Sequence, residues 1–225
     1  MSIVYIVSAP SGSGKSTLVA RLLTMVRNLD FSISYTTRPP RGPEQNRKEY
    51  FFVSREEFRA MIDKDEFLEY ADVYGNYYGT ARRFLREAEE SGHDLLLDID
   101  VQGASQIMRK IPNAVSIFIL PPDWESLEQR LRSRGQDAEP VIRRRLDTAR
   151  REIENYSKYD YILINDQLEQ SVNQLQNIVL AERLRQSGTE PSEEERQLVE
   201  AAQACRLERT RERVQPILAS FHPHV

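Results

Sequence analysis

The stretch SAPSGSGKST at residues 8–17 carries a lysine set between glycine and hydroxyl residues, Gly14-Lys15-Ser16-Thr17. The pattern GxxxxGK[ST] holds phosphate. Successive backbone N–H groups wrap the anion, the lysine reaches its outer oxygens, and the hydroxyl after the lysine ligates Mg2+. Gly14, Lys15 and Ser16 fit the pattern, while Ala9 stands at the usual first glycine. A flexible turn with a surface lysine is the plainer alternative. The apolar run IVYIV before the loop and the helical spacing of LVARLL after it weigh against that alternative, since strand, loop and helix follow one another as phosphate binding requires. Ala9, Pro10, Ser11, Gly12, Ser13, Gly14, Lys15, Ser16 and Thr17 are therefore expected to cradle a nucleoside triphosphate with Mg2+.

A second group suits another anion. In SYTTRPPRGPEQNRKEYFF, Arg38 and Arg41 flank two prolines, which hold them on a stiff loop and not in a helix. Two guanidinium groups so placed can grip a phosphate bidentately, and Tyr50 and Tyr78 can add hydroxyl donors. Two solvated arginines in a turn would explain the pair taken alone. Asp98, ending the run LLLD, is placed as a carboxylate that holds Mg2+ through water. Asp100 lies on the same strand side and also suits the N-cap of a helix beginning at Val101. The segment LRSRGQDAEPVIRRRLDTARRE breaks an arginine-rich pattern with Gly-Gln-Asp-Ala-Glu-Pro, as a hinged lid would, most of its arginines being solvated or ion-paired.

The elements that must position these groups read as strands at 3–8, 94–100, 115–121 and 159–166, each a short and mostly continuous apolar run. Helical patterns around 16–27, 101–110, 124–134, 140–156 and 168–185 alternate with them. That alternation predicts an α/β fold with a parallel sheet flanked by helices. Residues 31–80 break the rhythm: aromatic and β-branched segments surround one helix at 56–64, which predicts an inserted, β-rich subdomain. Beyond 186 the composition shifts, and Ser192 with Glu195 forms a capping box for a further helix. The amphipathic pattern of 186–225 suits packing on the core or a subunit interface. The second is preferred, so a homo-oligomer is expected.

The totals narrow the class. A chain of 225 residues with 40% hydrophobic and 29% charged residues can bury a core, and its longest apolar runs, such as AVSIFIL, are too short to span a bilayer. The phosphate-loop candidate begins where a leader peptide would still be running, so a cytoplasmic protein is expected. One cysteine and three histidines exclude an internal disulfide framework and argue against a thiolate or imidazole metal cage. A net charge of −4 argues against broad nucleic-acid binding. Neither a nucleic acid nor a membrane is an expected partner.

SAPSGSGKST, TTRPPRGPE, EYFFVS, FLEYADVYGNYYGT and LLLDIDVQGA, in this order and spacing, closely resemble the guanylate kinase family, over about residues 3 to 185. The resemblance implies a phosphate-loop NTPase fold with a catalytic domain at 1–185: core at 3–30 and 81–185, a GMP-binding subdomain at 31–80 and a lid at about 131–150, followed by a helical extension at 186–225. It implies transfer of the ATP γ-phosphoryl group to GMP, giving ADP and GDP, in purine nucleotide metabolism and GMP recycling. It further implies that Ser34, Arg38, Arg41, Tyr50, Glu69, Tyr78, Thr80 and Asp100 line the GMP site. Thr80 stands where serine is found in some members and keeps the hydroxyl. Arg134 and Arg145 match lid positions beside the transferring phosphoryl group, with Lys15 as the third catalytic residue, and Asn165 matches a residue beside adenine.

The chemistry of these residue types agrees. Guanine offers N1–H and N2–H2 donors that one carboxylate, Glu69, accepts together, whereas adenine would leave that carboxylate unpaired. The acceptor phosphate is already ionised near neutral pH, with a second pKa of about 6. No general base is needed, and the scarcity of histidine is no objection. Two rivals are weaker. A scaffold module of related shape would not need the loop lysine and lid arginines, and a ribose bisphosphate kinase would not need Glu69 or the GNYYGT run.

Overall fold

The computed structural model describes residues 2–73, 75–133 and 138–222; Arg134 lies outside them. The chain runs β1 (Val4–Ser8), α1 (Lys15–Met25), β2 (Leu29–Phe31), β3 (Tyr35–Thr36), β4 (Phe51–Phe52), α2 (Arg55–Asp63), β5 (Phe67–Val73), β6 (Asn76–Ala81), α3 (Arg82–Ser91), β7 (Asp94–Asp98), α4 (Val101–Lys110), β8 (Val115–Leu120), α5 (Trp124–Ser133), α6 (Glu139–Ile153), β9 (Tyr161–Ile164), α7 (Leu168–Ser187), α8 (Glu193–Gln203) and α9 (Leu207–Phe221). The larger sheet has the order β2-β7-β1-β8-β9, and β2/β7 and β8/β9 are parallel pairs. A fold with parallel strands and intervening helices is what the alternating pattern predicts. Every residue of β1 and of β8 is buried, which is why these strands read as unbroken apolar runs.

The chain forms two compact units. The first comprises the residues up to Ile6 with Asn28–Ala114, and the second Val7–Arg27 with the residues from Val115 onward.

In the first unit the smaller sheet has the order β4-β3-β6-β5. Strands β5 and β6 form an antiparallel hairpin in which Glu69 faces Thr80 across the ladder. Phe58 of α2 stacks on Phe67 and Tyr77, giving the little sheet an aromatic core of its own. Three features depart from the sequence reading. Residues 29–31 pair in parallel with β7 at the edge of the larger sheet, although 31 was expected to open the inserted subdomain. Three residues are too few to show a period, and only pairing with β7 makes them a strand. Helix α3, RRFLREAEES, was not expected: its apolar stripe is only Phe84, Leu85 and Ala88 in an otherwise charged segment, and it stops at Gly92 (φ 67°). Finally, β7 ends at Asp98, so Asp100 is not on the strand. It is the N-cap of α4, accepting from the N–H groups of Gln102 (2.7 Å) and Gly103 (2.9 Å).

In the second unit the expected capping box opens α8: Glu195 N–H donates to Ser192 Oγ (3.3 Å) and Ser192 N–H to Glu195 Oε2 (2.8 Å). Between α8 and α9 the chain lies antiparallel beside β9, the last strand of its sheet. Ile162 N–H donates to Cys205 O (2.8 Å) and Leu207 N–H to Asp160 O (3.1 Å). A bare strand edge invites association, and this segment covers it. Glu182, only 2% exposed, locks the arrangement by accepting from the Tyr161 hydroxyl (2.5 Å), Arg206 Nη2 (2.7 Å) and Arg185 Nε (2.7 Å). The inner side of the 186–225 extension thus packs on its own unit. Among the described residues no helix is long and apolar enough to cross a membrane.

Candidate active site

The phosphate loop belongs to the second unit. β1 delivers the chain at Ser8, and the turn that follows is closed by Ser13 N–H donating to Pro10 O (3.1 Å). Gly12 (φ 96°) and Gly14 (φ 87°) occupy the left-handed region, where a side chain would be strained. Ala9 is buried and is not among the residues with positive φ, so this corner of the loop does not need a glycine. Helix α1 then starts at Lys15, with Gly14 as a cap that offers no side chain and no acidic residue in the first turn. Its N-terminal N–H groups and the positive end of its dipole suit an anion. Ser16 and Thr17 are exposed at this end.

Glu152 of α6 accepts from the loop's Ser11 N–H (3.2 Å), and three further side chains donate to the loop. Arg145 of α6 donates from Nε (3.1 Å) and Nη2 (2.8 Å) to Ser11 Oγ. Asn165, buried just after β9, donates from Nδ2 to Ser13 O (2.7 Å), and a methyl at Gly14 would overlap that amide. Arg130 of α5 bonds Ser13 O (3.4 Å) and Asn165 O (2.9 Å). Sequence reading singled out Arg145 and Asn165 but passed over Arg130, one arginine among many on an amphipathic helix. Asn165 was expected beside adenine, and in the structure its amide nitrogen is engaged by the loop.

The residues expected around GMP lie in the first unit and form two clusters. In one, Arg38 is 7% exposed and donates from Nε to the Tyr78 hydroxyl (3.1 Å) and from Nη1 to Pro39 O (2.7 Å). Its Nη1 and Nη2 also fork onto Glu44 Oε2 (2.9 Å) and Oε1 (3.0 Å). The guanidinium lies 5.4 Å from the centre of the Tyr50 ring, and the Tyr50 and Tyr78 rings meet edge to face. Burial raises the Tyr50 phenol pKa above its ordinary value. Arg41 is exposed and joins through its backbone N–H, which donates to Glu44 Oε2 (2.7 Å). Glu44 was missed by the sequence reading. Hydrogen bonds from Arg38 hold its carboxyl below the usual range. Ser34 is half-buried, and its carbonyl accepts from Phe51 N–H (2.9 Å).

The second cluster centres on Glu69, 4% exposed, whose Oε1 accepts from the Thr80 hydroxyl (2.6 Å). Burial above all, with the nearby charge of Asp100, pushes its pKa up to about 7 against the opposing Thr80 hydrogen bond and Lys110. The folded protein therefore keeps a proton that the unfolded chain releases near 4.5. This group's contribution to stability falls by roughly 3 kcal/mol as pH rises from about 4.5 to 7. A carboxyl group buried at such a cost marks a candidate functional site. Asp98 is half-buried at the end of β7. No cluster of three or more histidine, cysteine, aspartate or glutamate residues able to hold a metal occurs among the described residues.

Comparison with known proteins agrees with this geometry. The guanylate kinase family model matches residues 1–182. The guanylate kinase of Koribacter versatilis is 58% identical over 221 residues, covering 97% of this chain and 95% of the relative, so that match takes in the C-terminal extension. The guanylate kinase of Escherichia coli K12 is 50% identical over 186 residues, 82% of this chain and 90% of the relative. The crystal structure of guanylate kinase from Anaplasma phagocytophilum superposes with a TM-score of 0.67 at 36% identity, over 80% of this chain and 86% of that one. A chain with this loop, and with a family model matched along most of its length, belongs to the guanylate kinase family.

Proposed function

We propose that the two sets of residues divide one reaction between them, the loop of the second unit holding ATP and the two clusters of the first unit holding GMP. The chain is an ATP:GMP phosphotransferase, giving ADP and GDP. The N–H groups of the loop and of the first turn of α1 take the β- and γ-phosphates, and Lys15 neutralises the charge that grows on their oxygens during transfer. Arg145, steered by Ser11, adds a second cation from a lid at about 131–150, which would also carry Arg134. The acceptor phosphate takes the Nε edge of Arg38 beside the Tyr78 hydroxyl, with Arg41 and Tyr50 as further donors and Ser34 and Asp100 at the margins of the 31–80 subdomain's site.

Oxygen donors alone, Ser16 directly and Asp98 through water, suit Mg2+, a hard cation that keeps most of its waters and substrate oxygens. When bound, the ion would neutralise phosphate charge. Roles in purine nucleotide metabolism and GMP recycling, and a cytoplasmic location, belong to the same reading. Assembly into a homo-oligomer through the outer face of the extension is a further proposal, open to light scattering of the intact chain.

The observation that carries this reading is the buried Glu69–Thr80 pair. A carboxylate at such a depth is matched by guanine's paired donors and left bare by adenine. Assayed with GMP, AMP, UMP and ribose bisphosphate as acceptors, the chain should prefer GMP to AMP by about ten-thousandfold in kcat/KM. AMP or ribose bisphosphate accepted within about tenfold of GMP would overturn the assignment.

Acid should weaken GMP recognition. Guanine's donors need Glu69 ionised, and with its pKa near 7 the ionised fraction falls about tenfold between pH 8 and pH 6. The groups facing it, Asp100, Lys110 and Thr80, are all in the same unit. KM for GMP should rise by that factor beyond the contribution of the GMP phosphate. Glu69→Gln supplies the baseline because only the phosphate titrates in it. Parallel pH profiles for the two proteins would remove Glu69 from guanine recognition.

A further inference from the structure

Gly103 is the third residue of α4, a place where alanine would favour the helix. A methyl group there would overlap Glu69 Oε2 and stand 2.9 Å from the carboxyl carbon and 3.6 Å from Cγ. The buried carboxylate therefore rests against a bare α-carbon on one side and the Thr80 hydroxyl on the other. Beyond this contact the helix is fastened to β5 by two later residues, Gln106 and Lys110, whose partners flank Glu69 in the strand. Gln106 Nε2 donates to Tyr70 O (2.6 Å), Tyr70 N–H donates to Gln106 Oε1 (3.4 Å), and Lys110 Nζ donates to Leu68 O. Gly103, Gln106 and Lys110 recur on one helical face. Their partners, Leu68, Glu69 and Tyr70, are consecutive in the strand. Two attachments to the main chain thus bracket Glu69 and fix how close α4 comes to it.

We propose that Gly103 is a positioning residue for base selection, setting the depth at which the Glu69 carboxylate meets the N1–H and N2–H2 donors of guanine. The proposal rests on Glu69 as the group that reads guanine. A side chain at Gly103 would meet the far end of Glu69, which yields by rotating, so the fold survives and the carboxylate loses its place. Glycine is kept here for recognition against helix propensity.

Gly103→Ala should keep or raise Tm and leave KM for ATP within about twofold, while KM for GMP rises about tenfold, the scale of one charged hydrogen bond. Its preference for GMP over inosine monophosphate, which lacks the 2-amino group, should fall by a similar factor. Glu69→Asp withdraws the carboxylate by one methylene, so its cost in KM for GMP, as distinct from Tm, should be smaller in the Gly103→Ala background than in the parent. Unchanged GMP kinetics in Gly103→Ala, with the preference lost in Glu69→Gln, would overturn the role of Gly103 and leave Glu69 as the guanine-reading group. A preference retained in Glu69→Gln would overturn the premise itself. If Gly103→Ala folds poorly, Gln106→Ala frees α4 from Tyr70 without adding an atom. It should also lower the preference for GMP over inosine monophosphate, and an unchanged ratio there would overturn the proposal.

Discussion

The Lys15→Ala variant is expected to lose phosphoryl transfer by on the order of a thousandfold while keeping its fold. The shape of the loop is set by its main chain, through the left-handed Gly12 and Gly14 and the Ser13-to-Pro10 hydrogen bond. The start of α1 keeps its N–H groups whatever follows Cβ at position 15. ATP should therefore still bind, with KM altered less than kcat. What is lost is a positive charge facing oxygens whose charge rises only as the bond to the leaving phosphate breaks, and an interaction made mainly in the transition state lowers kcat. Steady-state kinetics with ATP and GMP, beside a thermal melt, provide the check. Activity within a few-fold of the parent in a folded variant would sink the assignment of the loop.

The phosphate loop was legible because its chemistry is local: glycines, lysine and hydroxyl must lie in one contiguous string between a strand and a helix. Ala9 looked like a flaw in that string only because a pattern does not say which of its glycines needs positive φ. Strands buried on both faces showed as apolar runs. β2 is too short to carry a period, and the stripe of α3 is only Phe84, Leu85 and Ala88 among charged residues, so neither stood out. Boundaries slipped where a side chain ends an element, as at Asp100, whose carboxylate caps α4 and does not extend β7. The hardest residues to read were those whose meaning lies in a distant partner. Glu44 reads as one more charge in a proline-rich loop until Arg38 is seen to fork onto it, and Gly103 as a weak helix residue until Glu69 is found against it. Arg130 is one arginine of many, set apart only by its bonds to Ser13 and Asn165.

For Arg38→Ala, a fall of about a hundredfold in kcat/KM for GMP is expected, with KM for ATP little changed. Half of that loss, on a logarithmic scale, is the missing charge-assisted hydrogen bond to the acceptor phosphate, worth about tenfold. The other half comes from Glu44. With the guanidinium gone, the Glu44 carboxylate keeps its hydrogen bond from the Arg41 N–H and stays in the loop, now an anion without its main counter-charge where a dianionic phosphate must settle. Glu44 is half-buried, so salt screens this repulsion only in part. The double variant Arg38→Ala/Glu44→Gln should therefore take up GMP about tenfold better than Arg38→Ala alone, even though it carries one more substitution. Raising the ionic strength should narrow the gap between the two. Calorimetric titration of each protein with GMP separates this binding effect from any change in the chemical step. A double variant no better than the single one would show that Glu44 is not felt by the phosphate, and a loss that fell on ATP would mean that Arg38 does not serve the acceptor.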